Sequence, residues 1–558
     1  MRAQLISDPR DFRLFPRPSH WLPSSTPFSL QRQPRTTILC SLYLQPITQC
    51  AMLVKRRLLR EEITYSVAKD KDVNILHQLD YWPQRNRFFR YINAHRDLVE
   101  ELVSHHLGIP SSKCRAADMV DWMNGSFNLC VPVSVEGFNR VIIRFPLPYR
   151  VGERPCPGNG DEKVRCEAGA YAWLRQECSE VPIPDLYGFG LSTGQRFTHI
   201  QQLPFLRRLY HKFLHRCSSL LGFPVPTKFV PHKNNLSNTL PPYLVIEYIE
   251  KWDMLSTVWD DQDSDKTLRT NLFRGLSKIM LCLSRVSFPK IGSFVIDDNG
   301  FLCLANRPLT IMLQDLENEH IPVEMPKDRT FTSVDAYVNS LLLCHDNRLA
   351  FQPNAVNDEA DCVSQMTALA LMRCIRPQFF SGRLNHGPFV FALTDLHPSN
   401  ILVDKEWNIR SIIDLEWAAS IPLEFIGPPS WLTRQAIDCI DGDEYDERRK
   451  EFMDVFENEE KDYSASYNIR RALVMQQSWE KRTFWYTMAL RSPTGMHSVF
   501  YNRLQTLYEK DHAENTEFFL ITSKYWRPQA RQFIASRVKD KELYDKELRG
   551  AFEEPEKC

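Results

Sequence analysis

Between Phe389 and Ala418 three short apolar runs follow one another, and each is bounded by a side chain that carries oxygen. Phe389–Leu393 stops at Thr394 and Asp395, and the loop Leu396 to Asn400 leads into Ile401–Val403. A turn through Asp404 to Asn408 precedes Ile409–Ile413, which ends on Asp414. Apolar runs of this length between turn formers read as strand, polar loop, strand, tight turn, strand. That order presents Asp395, Asn400 and Asp414 from one edge of a small hairpin, where they can converge on a metal-bound phosphate. An Asp at a strand end is common, and His397-Pro398 also suits a plain turn. The joint spacing of three polar groups at three consecutive strand ends is what selects phosphoryl transfer.

Composition sets the outer limits. The 558 residues can bury one large bilobal core or a few ordinary domains. The 69 basic residues equal the 69 acidic ones, so no global field favours nucleic acid or an anionic membrane. The 15 cysteines form no Cys-x-x-Cys pair and no zinc-spaced cluster, which points away from a disulfide framework and towards a reducing, cytoplasmic compartment. No stretch approaches the roughly 20 apolar residues of a membrane span. Residues 1–54 hold six arginines, no lysine and only Asp8 and Asp11 as acids. This reads as a disordered or targeting-like extension, with mitochondrial import as the alternative location and Met52 as an alternative start.

From Glu61 the chain takes on ordered character. Phe88 to Leu107 reads as one helix in an N-terminal helical region, 55–115. Leu129–Val135 and Arg140–Phe145 read as a hairpin, preceded by Asn124-Gly125-Ser126-Phe127-Asn128. Gly and Ser at such a tip allow backbone N–H groups to approach phosphate oxygens, although a single glycine more often marks an ordinary turn. Asp161 to Cys178 reads as a helix with Asp161 and Glu162 at its positive end. Glu167 either reaches inward to a cation on the sheet or, on the blander view, is a surface residue paired with Lys163. Pro204 to Leu221 carries Leu206, Leu209, Phe213, Cys217 and Leu220 at helical spacing among basic residues. This suits a solvated amphipathic helix docked on the fold, with an anionic substrate or membrane surface as the other option. Tyr243 to Glu250 reads as a buried strand running into a hinge. Helical patterns follow over 268–283, 333–343 and 360–375, with a hairpin turning at Asn299-Gly300 between them. A further helix is expected to carry Ala472, Met475, Trp479, Tyr486 and Leu490.

The order of these parts resembles the aminoglycoside phosphotransferase family, the small-molecule branch of the protein-kinase-like fold. The residues that carry the resemblance are Gly125 to Asn128, Val141 to Pro146, Asp161 to Glu167, Thr394 to Asn400 and Ile412 to Trp417. It implies an α+β, bilobal protein-kinase-like fold. The small N-lobe, 116–250, would be an antiparallel sheet plus a helix. The larger, mainly helical C-lobe, 251–540, would carry the catalytic hairpin 389–418, with 541–558 left as a charged tail.

Position by position, the resemblance makes Asp395 the catalytic aspartate and Asn400 and Asp414 the magnesium-holding pair. Glu167 becomes the helix partner of an ion pair, Glu247 to Ile249 the adenine-binding hinge, and Gly125-Ser126 the loop over the phosphates. ATP and Mg2+ are the implied cofactors, and a small-molecule hydroxyl is the implied acceptor, with no nucleic-acid partner; the oligomeric state is not legible. Two positions depart from the family pattern. Arg144 stands where a phosphate-binding lysine is usual and is expected to contact phosphate in its place, with Lys163 as the alternative, and Leu393-Thr394 stands where His-Gly usually precedes the aspartate. The departures keep a second reading open, a catalytically inactive kinase-like protein that binds nucleotide or a partner. A protein kinase is disfavoured, since no activation segment follows Asp414.

Overall fold

The computed structural model describes residues 54–233, 240–463, 469–511 and 515–553, so the expectations for residues 1–53 lie outside it. The described chain opens with a ribbon, β1 (Lys55–Arg57) and β2 (Glu62–Thr64), and then α1 (Tyr65–Lys69) and α2 (Ile75–Leu79). The single helix expected over 88–107 is two, α3 (Tyr81–Ala94) and α4 (Arg96–Leu107). The break falls at His95, whose Nδ1 lies 2.8 Å from the carbonyl of Tyr91 and so satisfies an acceptor at the end of α3.

An antiparallel sheet of eight strands follows. Its strands are β3 (Cys114–Ala116), β4 (Met123–Asn124), β5 (Asn128–Val135), β6 (Val141–Pro146), β7 (Leu186–Gly190), β8 (Gln195–His199), β9 (Phe229–Lys233) and β10 (Tyr243–Glu247). They lie in the order β3-β5-β6-β10-β7-β8-β9, with β4 also on β5. Two helices occur along this stretch, α5 (Asn159–Glu177) after β6 and α6 (Phe205–Leu220) between β8 and β9. Both faces of the sheet are covered, which is why β6 reads as nearly continuous apolar sequence. Ile143 and Phe145 pack with Phe89, Ile92, Val99 and Leu102 of α3 and α4. Ile142 points the other way, packing with Val164, Ala168 and Tyr171 of α5. Strand alternation therefore delivers Arg144 to the α5 face.

The remainder is mainly helical. It runs through β11 (Asp253–Met254), α7 (Leu255–Gln262), α8 (Lys266–Leu283), β12 (Ser287–Phe288), β13 (Ser293–Ile296), β14 (Leu302–Asn306), α9 (Ile311–Asn318), α10 (Val334–Phe351) and α11 (Glu359–Ile375). Then come β15 (Phe389–Leu393), β16 (Ile401–Val403), β17 (Ile409–Ile412) and β18 (Ala418–Pro422). The chain continues with α12 (Gly442–Tyr463), α13 (Arg471–Glu480), α14 (Thr483–Arg491), α15 (Met496–Val499), α16 (Thr516–Trp526) and α17 (Ala530–Glu553). The helix expected through 472–490 is broken between α13 and α14, where Arg482 takes a left-handed φ of 63°. The expected charged tail is helical through Glu553. Tyr544, Leu548 and Phe552, at steps of four residues, pack on Leu58, Ile63, Ala68 and Ile75. A stripe that narrow is easily hidden in so charged a segment.

Candidate functional site

Two antiparallel ladders align the loops that carry the oxygen side chains. β15 pairs with β18 up to Leu393 opposite Ala418, and β16 pairs with β17 from Ile401 opposite Ile412. The stretches 394–400 and 413–417 lie between these registers and must run side by side. Thr394 N donates to Trp417 O at 3.1 Å, and Ile413 N to Asn400 O at 3.0 Å. The three strand ends thus come from two sheets, β12-β15-β18 and β11-β16-β17, rather than from a single hairpin.

Within that frame Asn400 Nδ2 donates to Asp395 twice, to its backbone oxygen at 2.9 Å and to its carboxylate at 3.1 Å. The loop around Asp395 is braced from both sides. The Thr394 hydroxyl donates to Trp417 O at 2.6 Å, and Trp431 Nε1 to Leu396 O at 2.7 Å. Asp414 has a left-handed φ of 59°, a conformation that costs most residues about 1–2 kcal/mol and is tolerated best by Asn and Asp.

Arg144 ties the sheet to this edge. Its Nη1 meets Glu167 Oε1 at 2.8 Å, and its Nη2 meets both Asp414 Oδ1 and Glu416 Oε2 at 2.8 Å. Glu167 is fully buried, so the blander view of a surface pair with Lys163 fails and the carboxylate reaches inward to the cation on the sheet. Arg144 on β6 outcompetes Lys163 because it enters from the sheet that α5 packs against. Lys163 is buried too, 2.8 Å from Asn128 Oδ1 and 3.2 Å from Glu416 Oε1, and is thereby committed to protein partners. Asn128 Nδ2 completes the circuit at 3.0 Å from Glu416 Oε1.

Three carboxylates, Glu167, Asp414 and Glu416, share two cations, Arg144 and Lys163, which leaves one negative charge in a desolvated place. The protonation balance reflects that excess. Burial pushes Glu167 up to about 7 against the pull of Arg144. Burial likewise raises Asp414, opposed by Arg144. Glu416 moves the other way, because Lys163 and Arg144 together outweigh the burial that would raise it. Asp414 is the member that reaches solvent, its side chain 32% exposed, whereas those of Arg144 and Glu416 are 3% exposed. Glu167 Oε2, Arg144 Nε and the Tyr171 hydroxyl are buried without a hydrogen-bond partner, so polar capacity is left over around the cluster.

Gly125 and Ser126 form the turn from β4 to β5, closed by Gly125 N donating to Asn128 O at 3.0 Å. A Cβ on Gly125 would meet nothing within 4 Å, so no packing constraint demands glycine there and the tip is open. Glu247 ends β10 opposite Val141 of β6, and its carboxylate accepts from Asp185 N at 3.2 Å. Ile249 is half-buried just beyond. Glu247 is thus placed opposite the first residue of β6, three positions before Arg144, and Ile249 follows beyond the end of β10.

Asn128 and Glu416 are the members of the site that residue patterns did not assign, and Lys163, expected as a substitute phosphate-binding lysine, is held by both of them. The available signal was the step from Asp414 to Glu416 in an otherwise apolar stretch, which placed a second acid beside the first.

The donor set suits a hard divalent cation. Asp414 and the Asn400 carboxamide offer oxygen ligands, and the surplus negative charge favours a cation. Among the described residues, no group of three or more His, Cys, Asp or Glu is arranged to hold a metal alone. An ion at Asp414 and Asn400 would therefore share its shell with ligand oxygens or water.

No family model matches the chain, and no curated protein matches it in sequence. Among solved structures, it is similar to an ethanolamine kinase of Plasmodium vivax at 10% identity, covering 77% of this chain and 85% of that one with a TM-score of 0.29. A macrolide 2'-phosphotransferase of Brachybacterium faecium matches at the same identity and TM-score, over 77% of this chain and 98% of that one. A TM-score of 0.29 is too low to establish a common fold, so function has to be read from the site's own geometry.

Proposed function

We propose that the chain is a bilobal, protein-kinase-like phosphotransferase that moves the γ-phosphate of ATP, with Mg2+, to a hydroxyl of a small molecule. The observation that carries this reading is the unbroken line of contacts from Asp395 through Asn400 and the 413–417 strand end to Asp414, Arg144 and Glu167. It joins a loop carboxylate, a candidate cation pair and a helix-anchored ion pair.

Phosphoryl transfer passes through a loose, highly charged transition state, so catalysis is mostly positioning and charge neutralisation. Mg2+ would supply that neutralisation at the phosphate oxygens, held by Asn400 and Asp414. Asp395, half-buried in its loop, would accept a hydrogen bond from the acceptor hydroxyl and orient it in line with the transferred group. The Asn400 carboxamide fixes the Asp395 carboxylate in that role. Arg144 and Glu167 hold β6 and α5 together and place Asp414, while the turn at Gly125-Ser126, whose Gly125 N–H is already taken by Asn128 O, would meet the phosphates through the Ser126 N–H. The backbone from Glu247 to Ile249 would receive the adenine edge.

One observation favours a second reading, a nucleotide-binding protein without turnover: Asp414 is already paired with Arg144 at 2.8 Å. Purified protein assayed for phosphate transfer to amines, sugars and choline-like alcohols separates the two. We expect Asp395→Ala to lose turnover by at least about a hundredfold while retaining the thermal shift produced by ATP with Mg2+. Asp414→Asn, which keeps the left-handed backbone tolerable, should lose the magnesium-dependent part of that shift. Equal turnover in Asp395→Ala and the parent would end the enzymatic reading. A thermal shift without turnover on any acceptor would favour the second.

A further inference from the structure

Helix α6 is mounted back to front. A helix docked on a globular core buries its apolar stripe and shows its polar face to water. Here Leu206, Leu209 and Phe213 are 77%, 56% and 62% exposed, and no residue of the helix is buried. The half-buried residues are Arg208, His211, His215, Cys217 and Ser218, all polar but for one member of the apolar stripe, Cys217. The helix expected to be docked on the fold is docked through its polar side, and most of its apolar stripe faces outward.

The chain beyond the helix extends that surface. Gly222, with φ of 72°, closes the helix by donating to Ser219 O at 3.3 Å, and Phe223 N donates to Ser218 O at 2.9 Å. This reversal leaves Leu221 and Phe223 exposed beside Leu220. The whole unit is an insertion at the sheet's edge: His199 at the end of β8 pairs directly with Phe229 at the start of β9, so the ladder closes beneath it. The edge strand β9 is separated from β6, which carries Arg144, by the three strands β10, β7 and β8.

Charge narrows the choice of partner. The sequence holds no Asp or Glu between Asp185 and Glu247, in a protein whose overall charge is balanced. Arg207, Lys212 and Arg216 are exposed on α6 itself. A contiguous face of leucines and aromatics fringed by arginine and lysine, in a stretch of sequence without an acid, matches an interfacial helix: the apolar side enters the acyl boundary and the cationic heads stay with the phosphates.

We infer that α6 and the turn after it form a docking surface for an anionic lipid bilayer, on which the protein lies peripherally. This does not depend on the phosphotransferase reading, because it uses no residue of the candidate active site.

Co-sedimentation of the full-length protein with vesicles tests it directly. Binding is expected to phosphatidylcholine vesicles that contain phosphatidylglycerol, weakening as salt rises, and not to phosphatidylcholine alone. Leu209→Glu with Phe213→Glu, and separately Arg207→Glu with Lys212→Glu, should each reduce binding by at least about tenfold. The melting curve of each variant should match the parent, because the altered side chains face solvent. Three outcomes would overturn the inference. One is no excess sedimentation with the anionic vesicles. Another is binding that survives Leu209→Glu with Phe213→Glu, which would make the attraction purely electrostatic. The third is a dimer in light scattering that these two substitutions disperse, which would assign the face to a second copy of the chain.

Discussion

At the scale of single residues, Arg144 decides more than any other side chain in the site. It is buried among three carboxylates, and removing one partner of a buried ion pair typically costs about 3–5 kcal/mol, because the groups left behind stay charged and desolvated. Arg144→Met should therefore lower the urea midpoint substantially. Arg144→Lys should recover only part of the loss, since one ammonium cannot reproduce a planar fork that meets Glu167 with one nitrogen and Asp414 and Glu416 with the other. Equal stability of Arg144→Met and the parent would show that the cluster holds nothing together. Arg144 was noticeable in the sequence as one cation inside Val141-Ile142-Ile143-Arg144-Phe145. Of its partners, Glu167 was legible as an acid able to reach a cation on the sheet and Asp414 as a strand-end acid, whereas Glu416 was not, because it is distant in sequence and looks like an ordinary surface acid until β6 is laid beside it.

Among elements, the placement of α5 governs the site, since this helix supplies both Lys163 and Glu167. It lies so close to β13 that a Cβ on Gly169 would sit 2.3 Å from the carbonyl oxygen of Phe294. Backbone cannot yield as a flexible side chain would. Gly169→Ala should push the helix off the hairpin, cost about 1–3 kcal/mol in urea unfolding, and shift Glu167 relative to Arg144. The amino end of α5 is anchored as well: Arg307 bonds Glu162 through Nε at 2.8 Å and Glu317 through Nη1 at 2.6 Å, with all three buried. The acids at the start of α5 were legible as favourable to the helix dipole. The burial of Glu162 against Arg307 was not, because that contact depends on where β14 and α9 arrive.

Across the whole molecule, α17 returns to the beginning of the described chain. The Tyr544 hydroxyl accepts from Ile75 N at 2.9 Å, and Leu548 is fully buried against the first ribbon and helices. Leu548→Ala should destabilise by about 2–5 kcal/mol and loosen both ends together, which proteolysis of 55–79 would report.

Stability should also carry a pH signature. Burial raises Glu424, as it does Glu167, to about 7 from an ordinary value of 4.5. An acid that holds its proton more tightly when folded makes the folded state lose ground as pH climbs from about 4.5 to about 7, with no further loss above. Buried His345, lowered to about 4, pulls in the opposite sense, so the difference between variant and parent is the quantity to measure. Glu424→Gln should flatten the acid-to-neutral decline by at most about 3 kcal/mol, leaving the share of Glu167 in place. An unchanged slope would mean that Glu424 is not protonated in the folded protein.

Local pattern alone determined the strands around 389–418, the β5–β6 hairpin, the α5 segment and the polar residues at the strand ends, because periodicity and turn chemistry act over a few residues. Tertiary structure decided which charges meet. It buried Glu167 and Lys163, split 88–107 and 472–490 into pairs of helices, folded the charged C-terminal segment onto the beginning of the described chain, and left the apolar stripe of α6 facing solvent. The physical reason is the same in each case. Burial and ion pairing are set by what arrives from elsewhere in the chain, and a side chain's neighbours within one helix or strand do not specify which of its faces will be covered.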